Sequence, residues 1–147
     1  MNTSTKAIKQ AGLLSVMVAW VFSMRCHAEQ TTNELDSFQG NWKMVSLEIR
    51  GKNMTAPFTL VIKNDQWTVI KPDGSSNGCP FQINAAMLPK QIDLIPLKTN
   101  APSSLGIYKF EGDRLTICRT MGGTERPKEF KTTKSADILA VWQRAGK

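Results

Sequence analysis

The sequence predicts an all-β fold, a small up-and-down antiparallel β-barrel of about eight strands. Two observations carry that expectation. Beyond Phe38 the chain consists of short apolar stretches separated by Gly, Pro, Asn or Asp at nearly even intervals, the pattern of strands joined by tight turns. No stretch there keeps a 3.6-residue apolar period long enough for a helix. Length and composition set the frame: 147 residues, 41% hydrophobic and 21% charged, describe one globular domain with a core and argue against a disordered, collagen-like or coiled-coil chain.

The first 28 residues stand apart. Lys6 and Lys9 precede the apolar run Ala11 to Phe22, which ends near the small-residue site Cys26-His27-Ala28. This is the layout of a secretory signal peptide, with cleavage expected after Ala28. The run is about a dozen residues, short of the roughly 20 that span a bilayer as a helix, so no transmembrane anchor is expected in the mature chain. Arg25 is a poor neighbour for lipid attachment at Cys26. The chain therefore divides into a signal peptide (1–28), a flexible lead (29–34) and a barrel domain (35–147), destined to be secreted or periplasmic.

Each strand has its own local reason. Leu35 to Phe38 has room for one helical turn, and Trp42 to Ile49 is the first strand, turning at Arg50-Gly51-Lys52-Asn53. Phe58 to Lys63 and Trp67 to Lys71 form a hairpin around Asn64-Asp65-Gln66. Pro72-Asp73-Gly74-Ser75 then turns because proline presets φ and glycine accepts the left-handed conformation. Pro80 to Asn84, Gln91 to Leu97, Leu105 to Phe110, Leu115 to Arg119 and Ile138 to Arg144 complete the set. Closure of the meander removes its unpaired edges. A barrel of this size is just wide enough to be filled by side chains or to hold one small ligand. Bulky candidates for the inside are many, from Trp42, Leu60, Ile62, Trp67 and Val69 through Phe81, Ile83, Ile92, Leu94, Tyr108, Phe110 and Leu115 to Leu139 and Val141. Their number favours a solid core over a cavity.

Loss of the signal peptide removes Lys6, Lys9 and Arg25, lowering the net charge from +7 to +4, and removes the only histidine, His27. With it go the Ser-His-Asp triad, the Cys-His dyad and His-containing zinc sites. Acid–base pairs remain, but of 12 acidic residues only Glu48 and Asp93 fall within the expected strands. Asp93, flanked by Ile92 and Leu94, should face outward. Neither a spaced cysteine set nor a calcium loop is present. The expectation is therefore no enzyme, no catalytic residues, no metal and no cofactor. Lys128, Lys131 and Lys134 cluster near Arg126, but Glu125 and Glu129 interrupt them, so nucleic acid is not an expected partner. Cys79 and Cys118 are either a bridge formed in an oxidising compartment or two buried free thiols.

Gly40-Asn41-Trp42 resembles the Gly-x-Trp opening of lipocalin-type barrels. With Gln91-Ile92-Asp93-Leu94, Gly106-Ile107-Tyr108, Glu111-Gly112-Asp113-Arg114-Leu115, Cys118 and Glu125-Arg126-Pro127-Lys128-Glu129-Phe130 in that order, the chain from about Leu35 to Arg144 resembles a family of small exported lipocalin-like domains abundant in planctomycete bacteria. The resemblance implies a lipocalin-like, calycin-like barrel of unestablished biochemical role and brings no catalytic residues. It also implies that Trp42 plugs one end beneath a basic side chain, Arg144. Gly78-Cys79-Pro80 departs from the pattern. Arg126-Pro127 reads either as a recognition loop or as a brace in which Arg126 pairs with a carboxylate such as Asp93 while Phe130 packs on the barrel.

Two functions follow. In the first, the monomeric barrel is a non-catalytic module binding a small, largely apolar molecule, gripped by Trp67, Phe81 and Tyr108. In the second, the interior is solid and the outer wall or loops contact an envelope protein or polymer.

Overall fold

A computed structural model of the chain describes residues 34–122, 125–133 and 137–146. The expected signal peptide, and the expected lead up to residue 33, lie outside the described residues. Nine strands follow a helical turn at residues 34–38: β1 (Gly40–Ile49), β2 (Lys52–Met54), β3 (Thr59–Lys63), β4 (Gln66–Ile70), β5 (Ser76–Asn84), β6 (Gln91–Leu94), β7 (Ser104–Glu111), β8 (Arg114–Thr120) and β9 (Asp137–Arg144). All neighbours pair antiparallel, and β1 also pairs β9. Eight strands thereby close into a barrel, since β2 and β3 share one edge of β1. The β3 ladder spans Gly40 to Lys43 and the β2 ladder spans Leu47 to Ile49. Among the described residues no helix is long and apolar enough to cross a membrane.

One irregularity decides what the barrel contains. The β1–β9 register shifts between Met44 and Ser46. Before this bulge the even positions Trp42 and Met44 face inward, and after it the odd positions Leu47 and Ile49 do. A strand without the extra residue would turn Leu47 and Ile49 to solvent. Val45, the inserted residue, is exposed instead.

The strand boundaries differ from expectation in three places. The small strand β2 lies where only a turn was expected, because Lys52, Asn53 and Met54 are all exposed and a lone Met54 sets up no alternation. Strand β5 begins at Ser76 rather than Pro80. The ladder with β4 ends at Pro80 and the ladder with β6 begins at Phe81, so proline stands at a change of partner. Strand β6 stops at Leu94, because Pro96 cannot supply a ladder N–H, and Leu97 emerges at the surface. The interior set needs one correction as well. On β9 the inward residues are Ile138, Ala140 and Trp142, not Leu139 and Val141. All five are apolar, so alternation gave no phase; pairing with β1 and β8 sets it.

One end of the barrel is sealed. Phe38, from the helical turn, is fully buried against Phe81, Tyr108 and Phe110, with ring centroids 4.8–5.5 Å apart. Trp42 donates its indole N–H to the Phe38 carbonyl at 2.9 Å. The Arg144 guanidinium lies 4.1 Å from the Trp42 ring and donates to the Gln39 and Ser37 carbonyls, both at 2.6 Å. Such a cation over an indole is worth about 0.5–2 kcal/mol. Gly40 adopts φ +113°, a conformation side chains rarely take, with Arg144 directly beside it. Glu34 pairs with Lys90 at 2.7 Å, and Gln39 holds the β3–β4 turn through both the amide and carbonyl of Asn64.

Segment 125–133 packs as a strap on the outer wall. Arg126 pairs with Asp93 at 2.6 Å and donates to the Gly106 and Ile92 carbonyls at 2.6 and 3.3 Å. Lys109 stands over the Phe130 ring, and Thr132 bonds Glu48 on β1. Ile107 and Cys118, which face outward, are buried all the same.

Candidate functional site

The opposite end of the barrel is open. A narrow inner chamber of about 150 Å³ is bounded by Met44, Leu47, Ile49, Ile117, Ala140 and Trp142. It shares Phe58, Trp67, Val69, Arg119 and Ile138 with a wider mouth of about 660 Å³. Leu94, Pro96, Leu97, Met121 and Gly122 belong to the mouth, and Leu97 and Met121 are exposed. The mouth is framed by β4 and β5, the loop from Pro96 to Pro102 and the end of β8, with Phe58 at its rim. Between the β3 and β2 ladders on β1, the Phe58 carbonyl accepts from Met44 N at 3.0 Å. The interior is therefore solid at one end and hollow at the other.

One charge sits in this apolar setting. On β8, Leu115, Ile117 and Arg119 alternate inward, so the guanidinium joins the cavity wall. Cross-strand from it is Gly106, where a Cβ would lie 2.9 Å from the Arg119 Cβ and 3.2 Å from an Ile92 methyl. The missing side chain makes room for the arginine. Arg119 Nη1 donates to Ser104 Oγ at 2.9 Å and more loosely to the Thr120 carbonyl at 3.5 Å. Burial pushes its pKa down from the usual arginine range, and only the neighbouring Cys79 thiol works against that. Among the described residues no carboxylate forms an ion pair with it. The mouth also carries Lys71 and Lys98, and neither Asp nor Glu lines either chamber. Trp142, on the inner chamber, buries its indole Nε1 with no acceptor among the described residues.

The residues singled out from sequence divide between the two ends. Trp67 is on the cavity wall. Phe81 and Tyr108 line neither chamber; both pack around Phe38 in the sealed half, and Phe81 also meets the edge of Trp67 at 6.2 Å. The Tyr108 phenol is pushed far above its ordinary pKa, first by burial and then by the Glu34 carboxylate. Gly40, Trp42 and Arg144 form the plug. Arg126 and Phe130 hold the strap, and Pro127 borders a surface groove of about 500 Å³ with Leu88, Pro89 and Lys128. Cys79 and Cys118 are free thiols. Cys79 packs against the core from inside β5, whereas Cys118 lies on the outer side of β8 with its Sγ near the Lys131 carbonyl, so the wall itself separates them. Arg119 was not singled out in the sequence. Its signal was there, in an arginine continuing the period of two set by Leu115 and Ile117.

Geometry of this kind defines a class: a small closed antiparallel β-barrel of lipocalin-like, calycin-like architecture, plugged at one end and open at the other. Comparison with protein-family models, curated proteins and solved structures finds no match to the chain.

Proposed function

We propose that this protein is an exported, non-catalytic binding module whose barrel takes up a small, largely apolar molecule through its open end, and that it belongs with the small exported lipocalin-like domains its motifs resemble. The observation that carries the reading is the cavity: an apolar mouth of about 660 Å³, within the 300–1,000 Å³ typical of small-molecule sites, walled by Trp67, Phe58, Val69 and Leu94. Export rests on Lys6, Lys9 and the apolar run that follows them.

Native mass spectrometry of protein isolated from its own source tests this. The expected result is a non-covalent adduct of small-molecule mass that is lost on gentle activation. A bare mass, together with no thermal shift from a panel of apolar alcohols and acids, would remove the reading in favour of an outer-wall interaction domain contacting an envelope protein.

A further inference from the structure

The cavity lining is asymmetric in charge. Its walls are apolar, yet it holds Arg119 at the junction of the two chambers and Lys71 and Lys98 around the mouth, with no acidic side chain to balance them. A guanidinium removed from bulk water and held, among the described residues, by a serine hydroxyl and a distant carbonyl keeps most of its five N–H donors for something else. A buried cation without a counter-ion is costly unless another group offsets it. The second observation is independent: Trp142, which lines the inner chamber, buries its indole N–H with no acceptor among the described residues. Both features ask for hydrogen-bond acceptors, and the arginine asks for negative charge.

Resting on the binding reading above, we propose that the ligand is an amphipathic carboxylate, whose carboxylate accepts from the Arg119 guanidinium while its hydrocarbon part packs against Trp67, Phe58 and Val69. Gly106 and Ser104 are positioning residues in this arrangement: one leaves space for the arginine, and the other fixes one of its nitrogens and leaves the rest to the ligand. Lys71 and Lys98 draw the anion toward the mouth.

The test compares three probes of one chain length, decanoate, decan-1-ol and decylamine, by isothermal titration calorimetry below their aggregation limits. In the wild-type protein decanoate should bind about tenfold tighter than decanol or better, as a charge-assisted hydrogen bond to a partly desolvated guanidinium requires. Decylamine should bind more weakly than either. Arg119→Gln should bring decanoate down to the affinity of decanol and leave decanol unchanged; circular dichroism checks that the variant is folded, and the wild-type ratio decides the matter if it is not. Equal binding of decanoate and decanol to the wild type overturns the carboxylate assignment and leaves the binding module standing. No binding of any of the three overturns both.

Discussion

At the sealed end, three aromatic rings from β5 and β7 pack around Phe38, and the polar groups that join the plug to its surroundings are tied to backbone: the Trp42 indole to Phe38, the Arg144 guanidinium to Ser37 and Gln39, the Gln39 amide to Asn64; the buried Tyr108 hydroxyl is the exception, with no hydrogen-bond partner among the described residues. Toward the open end, among the described residues, stand a cation with a single firm partner, an indole N–H with none, and exposed Leu97 and Met121. Polar groups that are saturated hold a structure together, whereas unsaturated ones in an apolar setting are available to a ligand. The difference assigns stability to one half of the barrel and binding to the other.

The sharpest way to break that division is to compare truncations at the two ends. Trp42→Ala removes a fully buried ring, its hydrogen bond and the surface under Arg144, and should cost about 3–5 kcal/mol in urea denaturation. The next largest effect is one of pH. Burial, followed by the charges of Asp137 and Glu48, pushes the Cys118 thiol up from 9.0 to about 11. Well below pH 9 the thiol is neutral in both folded and unfolded chains and contributes nothing to the pH dependence. Above it the unfolded chain ionises first, so stability should fall by about 2–3 kcal/mol as pH rises from 9 through 11. Cys118→Ala, less stable at neutral pH, should show a flatter decline over that window in thermal melts at successive pH values; an identical slope would mean that the outer wall beneath the strap is wetter than its burial indicates.

Smaller effects sharpen the comparison. Arg126→Ala should cost about 1–3 kcal/mol by leaving Asp93 and two carbonyls without their donor. Amide exchange should quicken in segment 125–133 while β1, β3 and β4 stay protected; uniform acceleration would show that the strap belongs to the same cooperative unit as the barrel. Smallest of all, Phe58→Ala at the mouth should cost about 1 kcal/mol or less, since that ring is only partly buried. A loss matching that of Trp42→Ala would erase the distinction between the ends.

How much of this was legible in the chain varies with how loudly each residue speaks. The barrel was legible because strands with polar residues between apolar ones, such as Gln91 to Leu94, declare both their length and their inner face. Asp93 was placed outward by the same alternation, and that is the face it occupies opposite Arg126. Strand β9 is silent by comparison: Ile138 to Trp142 is apolar on both sides, so its phase comes only from its neighbours. The bulge at Val45 has no local signature at all, because it is chosen to bring Leu47 and Ile49 inside. Phe81 and Tyr108 illustrate a further limit, since inward-facing aromatics can fill a plug or line a mouth, and which of these they do depends on their height along the barrel. That height is fixed by ladder register and by Phe38, which enters from a helical turn outside the sheet. Arg119 was hidden for the opposite reason: its period was clear, but arginine on an inner face runs against the usual sorting of charge to solvent. The exception marks the site.

The placement of the two sulfurs has a use. Cys79 looks into the lumen, where any reagent must arrive through the mouth and an occupant would shield it, while Cys118 lies under the strap and is reached only when that segment lifts. The barrel thus carries two chemically separate reporters among its described residues, one counting vacancy and the other counting local opening, and the ratio of their labelling rates distinguishes a filled barrel from a loosened one without any engineered tag.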